Sequence, residues 1–397
     1  MDNLPGKIRE LAKSFYQDTV LIRRHFHAHP ELSCQEFGTA DFIAGRLTAY
    51  GIPFTRNVAG TGLVALIQGG GNQGRVVALR ADMDALSIQE ENDVPYRSQV
   101  PGVMHACGHD VHLASLLGAA RILQQLSRSL KGSVKLLFQP SEETYPGGAI
   151  RMIEEGVLEN PHVDCIIGQH VYPGLDAGKV GMKPGKYMAS SDEFYVTIRG
   201  RGGHAATPEL NIDPIVISAH VILALQQITS RLAPPILPTV VSVGRVLADG
   251  RVNIIPDEVR LEGIIRTFDN AWREKVHGHL VRIVTTVTEA MGGSCKVNIA
   301  PGYPFLINDD ALTHRVKSYS TDFLGKGNVR DLEMRMTSED FAYYSHVIPA
   351  CFYRLGIRNE ARGIVSNLHT STFDVDEKCL ETGMGLMAWL AINELKS

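Results

Sequence analysis

Little in this sequence points to a charged or lipid partner. Of its 397 residues 39 are basic and 43 acidic, so no excess of positive charge marks a surface for nucleic acid. No stretch approaches the roughly 18 uninterrupted apolar residues that suggest a membrane span. The start, Met1-Asp2-Asn3-Leu4-Pro5-Gly6-Lys7, lacks the basic and apolar regions of a secretory signal. Six cysteines (Cys34, Cys107, Cys165, Cys295, Cys351, Cys379) follow no short repeating spacing and imply no disulfide framework. The expected setting is a reducing cytoplasm, where a working cysteine is a metal ligand or a nucleophile. What is present suffices for large cores. Apolar residues make up 44% and charged ones 21%, which excludes disordered and collagen-like chains. The length allows roughly two to three domains at about 150 residues each.

An amphipathic helix opens the chain, with Ile8, Leu11, Ala12 and Phe15 at helical spacing. Apolar runs at Leu63–Ile67, Val76–Leu79, Val134–Phe138 and Cys165–Gly168 read as strands, with a helical pattern in Leu113, Leu116, Leu117, Ala120 and Leu123. Strands alternating with helices predict an α/β domain with a largely parallel sheet. After Lys183-Pro184-Gly185 the rhythm becomes β-α-β-β-α-β, the ferredoxin-like pattern of a small α+β domain, ending near Pro301-Gly302-Tyr303-Pro304. Residues 1–184 and 302–397 are therefore expected to form one discontinuous catalytic domain around an inserted domain, 185–301. The glycine cluster Gly69-Gly70-Gly71-Asn72-Gln73-Gly74 reads as a turn, because a strand and not a helix follows it.

His105-Ala106-Cys107-Gly108-His109-Asp110-Val111-His112 packs three histidines, a cysteine and an aspartate into eight positions. Thiolate and imidazole are good ligands for zinc and its neighbours; the competing reading is a capped loop with a buried thiol. Glu142 and Glu143 follow the strand Val134–Phe138 directly, Asp82-Met83-Asp84 follows Val76–Leu79, and Gln169-His170 follows Cys165–Gly168. His369, after Gly363-Ile364-Val365, is placed with them. Catalytic groups of open α/β sheets gather beyond the carboxyl ends of strands, so these positions outweigh the alternative of solvated carboxylates and ordinary histidines. Cys107 and Glu143 are 36 residues apart, and His369 lies 226 further on. A structural zinc site draws on short paired spacings, whereas ligands collected across a domain beside a spare carboxylate indicate catalysis. Five such ligands exceed one tetrahedral ion and fit two, roughly 3.5–4 Å apart.

By these motifs the chain resembles the dinuclear metallo-amidohydrolases of the aminoacylase and hippurate-hydrolase family. That group includes indole-acetyl-amino-acid hydrolases and N-acetyl-diaminopimelate deacetylases and is related to zinc carboxypeptidases and dipeptidases. The resemblance runs from Arg24-His25-Phe26-His27-Ala28-His29-Pro30-Glu31-Leu32 to Leu368-His369-Thr370-Ser371-Thr372-Phe373-Asp374. Between them lie Arg80 to Leu86, Cys107/His109, Gln139 to Glu143, Gly202-Gly203-His204-Ala205-Ala206 and Thr337-Ser338-Glu339-Asp340-Phe341. It implies a zinc-peptidase-like catalytic domain with a central mixed, mostly parallel sheet and an inserted dimerisation or lid domain. It implies Cys107, His109, Glu143, His170 and His369 as metal ligands, Glu142 as general base and Asp84 as a group orienting a ligand. It departs at Ser87, where relatives commonly carry proline, and at Thr144-Tyr145-Pro146, where many have glycines.

The expected chemistry is metal-assisted hydrolysis of the amide bond of an N-acyl amino acid by a likewise resemblance-implied homodimer. Two divalent ions are expected, zinc or manganese, with cobalt or nickel as further candidates. His204 would stabilise the oxyanion, reaching the neighbouring subunit's site as its family counterpart does; otherwise it is a surface histidine in a glycine-rich turn. Arg266, within an apolar strand, would meet either the substrate carboxylate or an internal carboxylate. Asn253 is a substrate contact on resemblance alone. A metallo-dipeptidase or carboxypeptidase and a binding protein without catalysis are the rival classes.

Overall fold

Three of the apolar runs, Val134–Phe138, Val76–Leu79 and Cys165–Gly168, lie side by side and parallel in an eight-stranded sheet, and Leu63–Ile67 pairs antiparallel with the first of them. The sheet order is Phe54–Val58, Gly62–Gln68, Ser133–Gln139, Val76–Asp82, Cys165–Asp176, Ala350–Arg358, Val180–Met182, Val329–Asp331. The third to sixth strands are mutually parallel, and the first three neighbours pair antiparallel at one edge. Every residue of Val76–Asp82 is buried, as expected of a strand covered on both faces. The computed structural model describes residues 3–70 and 74–397; the centre of the glycine cluster, 71–73, lies outside the described residues, so the turn expected there is not described.

The chain divides into two compact units, Met1–Gly185 with Ile307–Glu333 and Asp340–Ser397, and Lys186–Leu306 with Met334–Glu339. In the first, helices α1 (Leu4–Ala28) and α3 (His109–Gln125) and the C-terminal helix Cys379–Glu394 share one core, with Ile8, Ala12, Leu116, Leu117, Ala120, Leu386 and Leu390 fully or almost fully buried. Helix α2 (Phe37–Ala49) is capped at its N-terminus by the Glu31 carboxylate, which accepts the Gly38 and Thr39 amides at 3.0 and 2.8 Å.

The second unit has the strand order Thr239–Leu247, Glu258–Thr267, Asp192–Arg199, Ser294–Pro301, antiparallel throughout. Pro214–Gln227 and Asn270–Ala290 are its two helices, begun by Asp213 and Asp269, whose carboxylates accept first-turn amides. This is the β-α-β-β-α-β order read from the sequence. Met334–Glu339 joins it because the Arg335 amide donates to the Tyr187 carbonyl at 2.9 Å and the Arg335 carbonyl accepts from Ala189 at 3.1 Å, pairing that local periodicity does not reveal. Among the described residues one helical stretch, Pro214–Leu232, is long and apolar enough by length and composition to cross a membrane; Ile217, Val221, Leu225 and Ile228 on one face of it are buried in the core of the second unit.

Two local expectations differ. The strand read as Cys165–Gly168 continues to Asp176, so His170 lies within it and not beyond its end. Gly363-Ile364-Val365 is no strand; Ile364 makes only an isolated bridge to Asn359.

Candidate metal centre

The first unit brings together seven of the residues singled out in the sequence. Val76–Asp82 ends at the strand-end pair of aspartates, Ser133–Gln139 ends just before Glu142 and Glu143, and α3 begins at His109. Gly108 makes the entry to α3 possible. Its φ of 80° is left-handed, and a Cβ there would stand 2.5 Å from Val171 Cγ2. His369 is tied to the same segment, its amide donating to the Ala106 carbonyl at 2.9 Å.

Their donor atoms fall into overlapping triplets. Cys107, His109 and His170 form one, and Cys107, Glu143 and His369 another, each with ligand atoms within 4.8 Å of one another. Cys107 Sγ is common to both, 3.5 Å from His170 Nε2 and 3.4 Å from His369 Nε2. Glu143 Oε1 lies 3.9 Å from His109 Nε2 and 3.5 Å from His369 Nε2. Glu142 joins His109 and Glu143 in a third group.

Two of these atoms, His109 Nε2 and Glu143 Oε1, are buried with no hydrogen-bond partner. Such orphans are costly unless something else occupies their lone pairs. The ring orientations agree: His109 Nδ1 contacts the Asp84 carbonyl at 2.8 Å and His170 Nδ1 the Val171 carbonyl at 2.8 Å. A carbonyl only accepts, so each Nδ1 carries a proton and each Nε2 is the nitrogen turned towards the shared space, where it can coordinate once deprotonated. The donor set therefore fits divalent metal ions.

Electrostatics point the same way. Burial opposes a charged His109, yet Asp82, Asp84 and Glu143 outweigh it and push the imidazole up to about 10. Burial and then Glu143, Glu142 and Asp82 push the Cys107 thiol well above its usual range. A space that draws in protons so strongly is one that a bound cation would neutralise.

Asp84 touches two of the donors. Its Oδ2 accepts the Glu143 amide at 2.9 Å and the Ser33 hydroxyl at 2.7 Å, while its Oδ1 is 3.3 Å from His109 Nδ1. Sequence reasoning passed over the support beneath this layer. Arg80, fully buried, donates to Asp82 Oδ2 at 2.5 Å, Gln139 Oε1 at 2.9 Å and Asp340 Oδ1 at 2.7 Å. Gln139 donates to both Asp340 oxygens, and the Asp340 amide donates to Glu142 Oε1 at 3.3 Å. An arginine within an otherwise apolar strand was the available signal.

His204, Arg266 and Asn253 belong to the second unit and not to this donor set. His204 is exposed, pairs with Ile254 across a two-stranded ladder, and accepts the Ala206 amide at Nδ1 at 3.0 Å, which leaves the proton on Nε2. The Asn253 carbonyl accepts the neighbouring Ala205 amide at 3.1 Å. Arg266 donates to the Ser338 hydroxyl at 2.6 Å. Among the described residues it forms no ion pair, so the internal-salt-bridge alternative is not realised.

A family model described as Peptidase family M20/M25/M40 matches residues 78–393. An N-acyl-L-amino acid amidohydrolase of Geobacillus stearothermophilus is 45% identical over 305 residues, covering 77% of this chain and 81% of that one. Thermostable carboxypeptidase 2 of Saccharolobus solfataricus is 37% identical over 393 residues, 98% of both chains. The solved structure of the YXEP protein of Bacillus subtilis, titled a dinuclear metal binding peptidase, superposes with a TM-score of 0.83 at 35% identity over 97% of this chain and 99% of that one.

Proposed function

The chain belongs to peptidase family M20/M25/M40, and from that premise we propose that it hydrolyses the amide bond of N-acyl amino acids, releasing a carboxylic acid and a free amino acid. It is a metal-dependent amide hydrolase acting on a small-molecule substrate. The observation that carries the reading is the pair of donor triplets sharing Cys107 with a further carboxylate, Glu142, beside them.

Cys107, His109, Glu143, His170 and His369 would hold two divalent ions. Zinc is favoured by the thiolate, and manganese, cobalt or nickel is admitted by the imidazole and carboxylate donors. When bound, the ions supply Lewis-acid polarisation of the scissile carbonyl and ease ionisation of water. Glu142 takes a proton from the attacking water and passes it to the departing amine nitrogen, so water is divided between acid and amine. Asp84 keeps His109 and Glu143 aimed. His204 Nε2–H would donate to the developing oxyanion, and the carboxylate-free Arg266 would receive the substrate's carboxylate, with Asn253 as a further contact.

A homodimer assembled through the second unit, with His204 serving the neighbouring active site, fits the exposed Ile215, Val216 and Leu223 on its helix. The second reading, a metallo-dipeptidase or carboxypeptidase, draws on the carboxypeptidase relative. The test is a panel of N-acyl amino acids and free dipeptides, assayed against metal-stripped protein reloaded with each ion. Turnover confined to substrates with a free α-amino group would replace the first reading by the second.

A further inference from the structure

Ser141 stands immediately before Glu142 with φ at 56°, a left-handed backbone in a residue other than glycine. L-residues resist that region, and one held there is over-determined by its surroundings. Every polar group of Ser141 is engaged. Its amide donates to Glu36 Oε1 at 2.8 Å, and its carbonyl accepts the Gly148 amide at 3.0 Å. Its hydroxyl accepts the Cys34 amide at 2.9 Å and lies 3.3 Å from Glu36 Oε1.

Glu36 is an unusual choice for this duty. It is fully buried, 105 residues away in the chain, and forms no ion pair among the described residues. Its second oxygen accepts the Thr61 hydroxyl at 2.6 Å. Burial pushes this carboxyl up, with Asp84 adding to the effect. A carboxyl group kept out of water without a cation is expensive, and the donors that offset this one are the Ser141 amide and the Thr61 hydroxyl. The same connecting segment also reaches the site at Ser33, on Asp84, and at Glu31, whose carbonyl accepts the Ala85 amide at 2.8 Å.

We propose that Glu36 is a positioning residue for the reaction: by holding the Ser141 amide it fixes the left-handed turn that aims Glu142 at the attacking water. This rests on the reading of Glu142 as the base. Misplacing a reacting group by about 1 Å costs on the order of 10²-fold, so the clamp acts on kcat and not on substrate or metal binding.

The experiment compares Glu36→Ala, Glu36→Asp, Glu36→Gln and the double variant Glu36→Ala/Ser141→Gly with Glu142→Gln, measuring kcat, KM and metal per chain. Glu36→Ala should lose roughly 10- to 100-fold in kcat, with KM and metal content unchanged. Glu36→Asp, one methylene too short but still charged, should lose at least about tenfold and serves if the alanine variant does not fold. Glu36→Gln keeps the accepting oxygen and should stay within about threefold of the parent. Ser141→Gly, which adopts the turn without strain, should recover part of the loss. Parental kcat in both Glu36→Ala and Glu36→Asp, a full loss in Glu36→Gln, or a loss explained by missing metal would overturn the clamp. If Glu142→Gln itself keeps turnover, the base assignment has failed instead, whatever Glu36 does.

Discussion

Asp82 Oδ1 lies 2.5 Å from His112 Nδ1, and the far nitrogen of that ring, Nε2, accepts the Val171 amide at 2.9 Å. Both imidazole nitrogens are thereby spent. His112, though within the densest run of metal-ligand residue types and near His109, is a support that fixes the strand carrying His170. Burial works against an ionised Asp82, but His109, His112 and Arg80 hold its carboxyl well below the usual range.

Asp82→Ala would leave the Arg80 guanidinium and the His112 ring without their shared partner in a dry interior. Removing one side of a buried charge pair costs about 3–5 kcal/mol. Urea unfolding should show a loss of that size, and a change below about 1 kcal/mol would mean that Arg80 is satisfied by Gln139 and Asp340 alone.

Glu142→Ala should retain about two metals per chain while turnover falls by at least about 10²-fold, the scale of a lost general base. Metal analysis and steady-state rates on the same preparation decide it. Near-parental activity removes Glu142 from the mechanism.

Metal loading should release protons. At pH 7 the metal-free protein holds His109, pushed up to about 10, and Cys107, raised well above its ordinary value, in their protonated forms. Binding needs both deprotonated, so apparent affinity rises with pH. Calorimetry in buffers of different ionisation enthalpy should show the release, with less in Cys107→Ala. That variant should also hold less metal, and full stoichiometry by atomic absorption would make the cysteine a bystander.

A His204→Ala chain and a Glu142→Ala chain should each form nearly inactive homodimers, yet regain a measurable fraction of activity when mixed and re-associated. Some heterodimers would then own one complete site. If heterodimers form and stay inactive, His204 does not act across the subunit boundary.

The donor residues were legible because metal chemistry restricts residue type, and because Glu142 and Glu143 follow a strand too apolar to misread. The longer strand was not. Val171-Tyr172-Pro173-Gly174 contains two strand breakers, but Tyr172 pairs with Gly356 and Asp176 with Arg358 across an irregularity in register, where a missing amide is tolerated. Glu36 and Ser141 left no trace either. A hydrogen bond spanning 105 residues has no period, and serine does not advertise a positive φ. Arg266 was expected to meet a carboxylate, the substrate's or an internal one, and its partner within the protein is a hydroxyl on Met334–Glu339, a segment whose membership local pattern could not assign.

One of the points at which the chain passes between the two units is the peptide bond joining Glu339 to Asp340. Asp340 is bolted down: Arg80 and Gln139 hold its Oδ1 at 2.7 and 2.8 Å, and Gln139 and the Ala149 amide hold its Oδ2 at 2.7 and 3.0 Å. A tether ending on such an anchor behaves as a cord tied to a post. The N–H that Asp340 extends to Glu142 belongs to that same peptide bond, and the buried guanidinium and amide hold the side chain immediately behind it. The backbone partner of the base is thus the first group of the catalytic unit that the chain supplies on returning from Met334–Glu339.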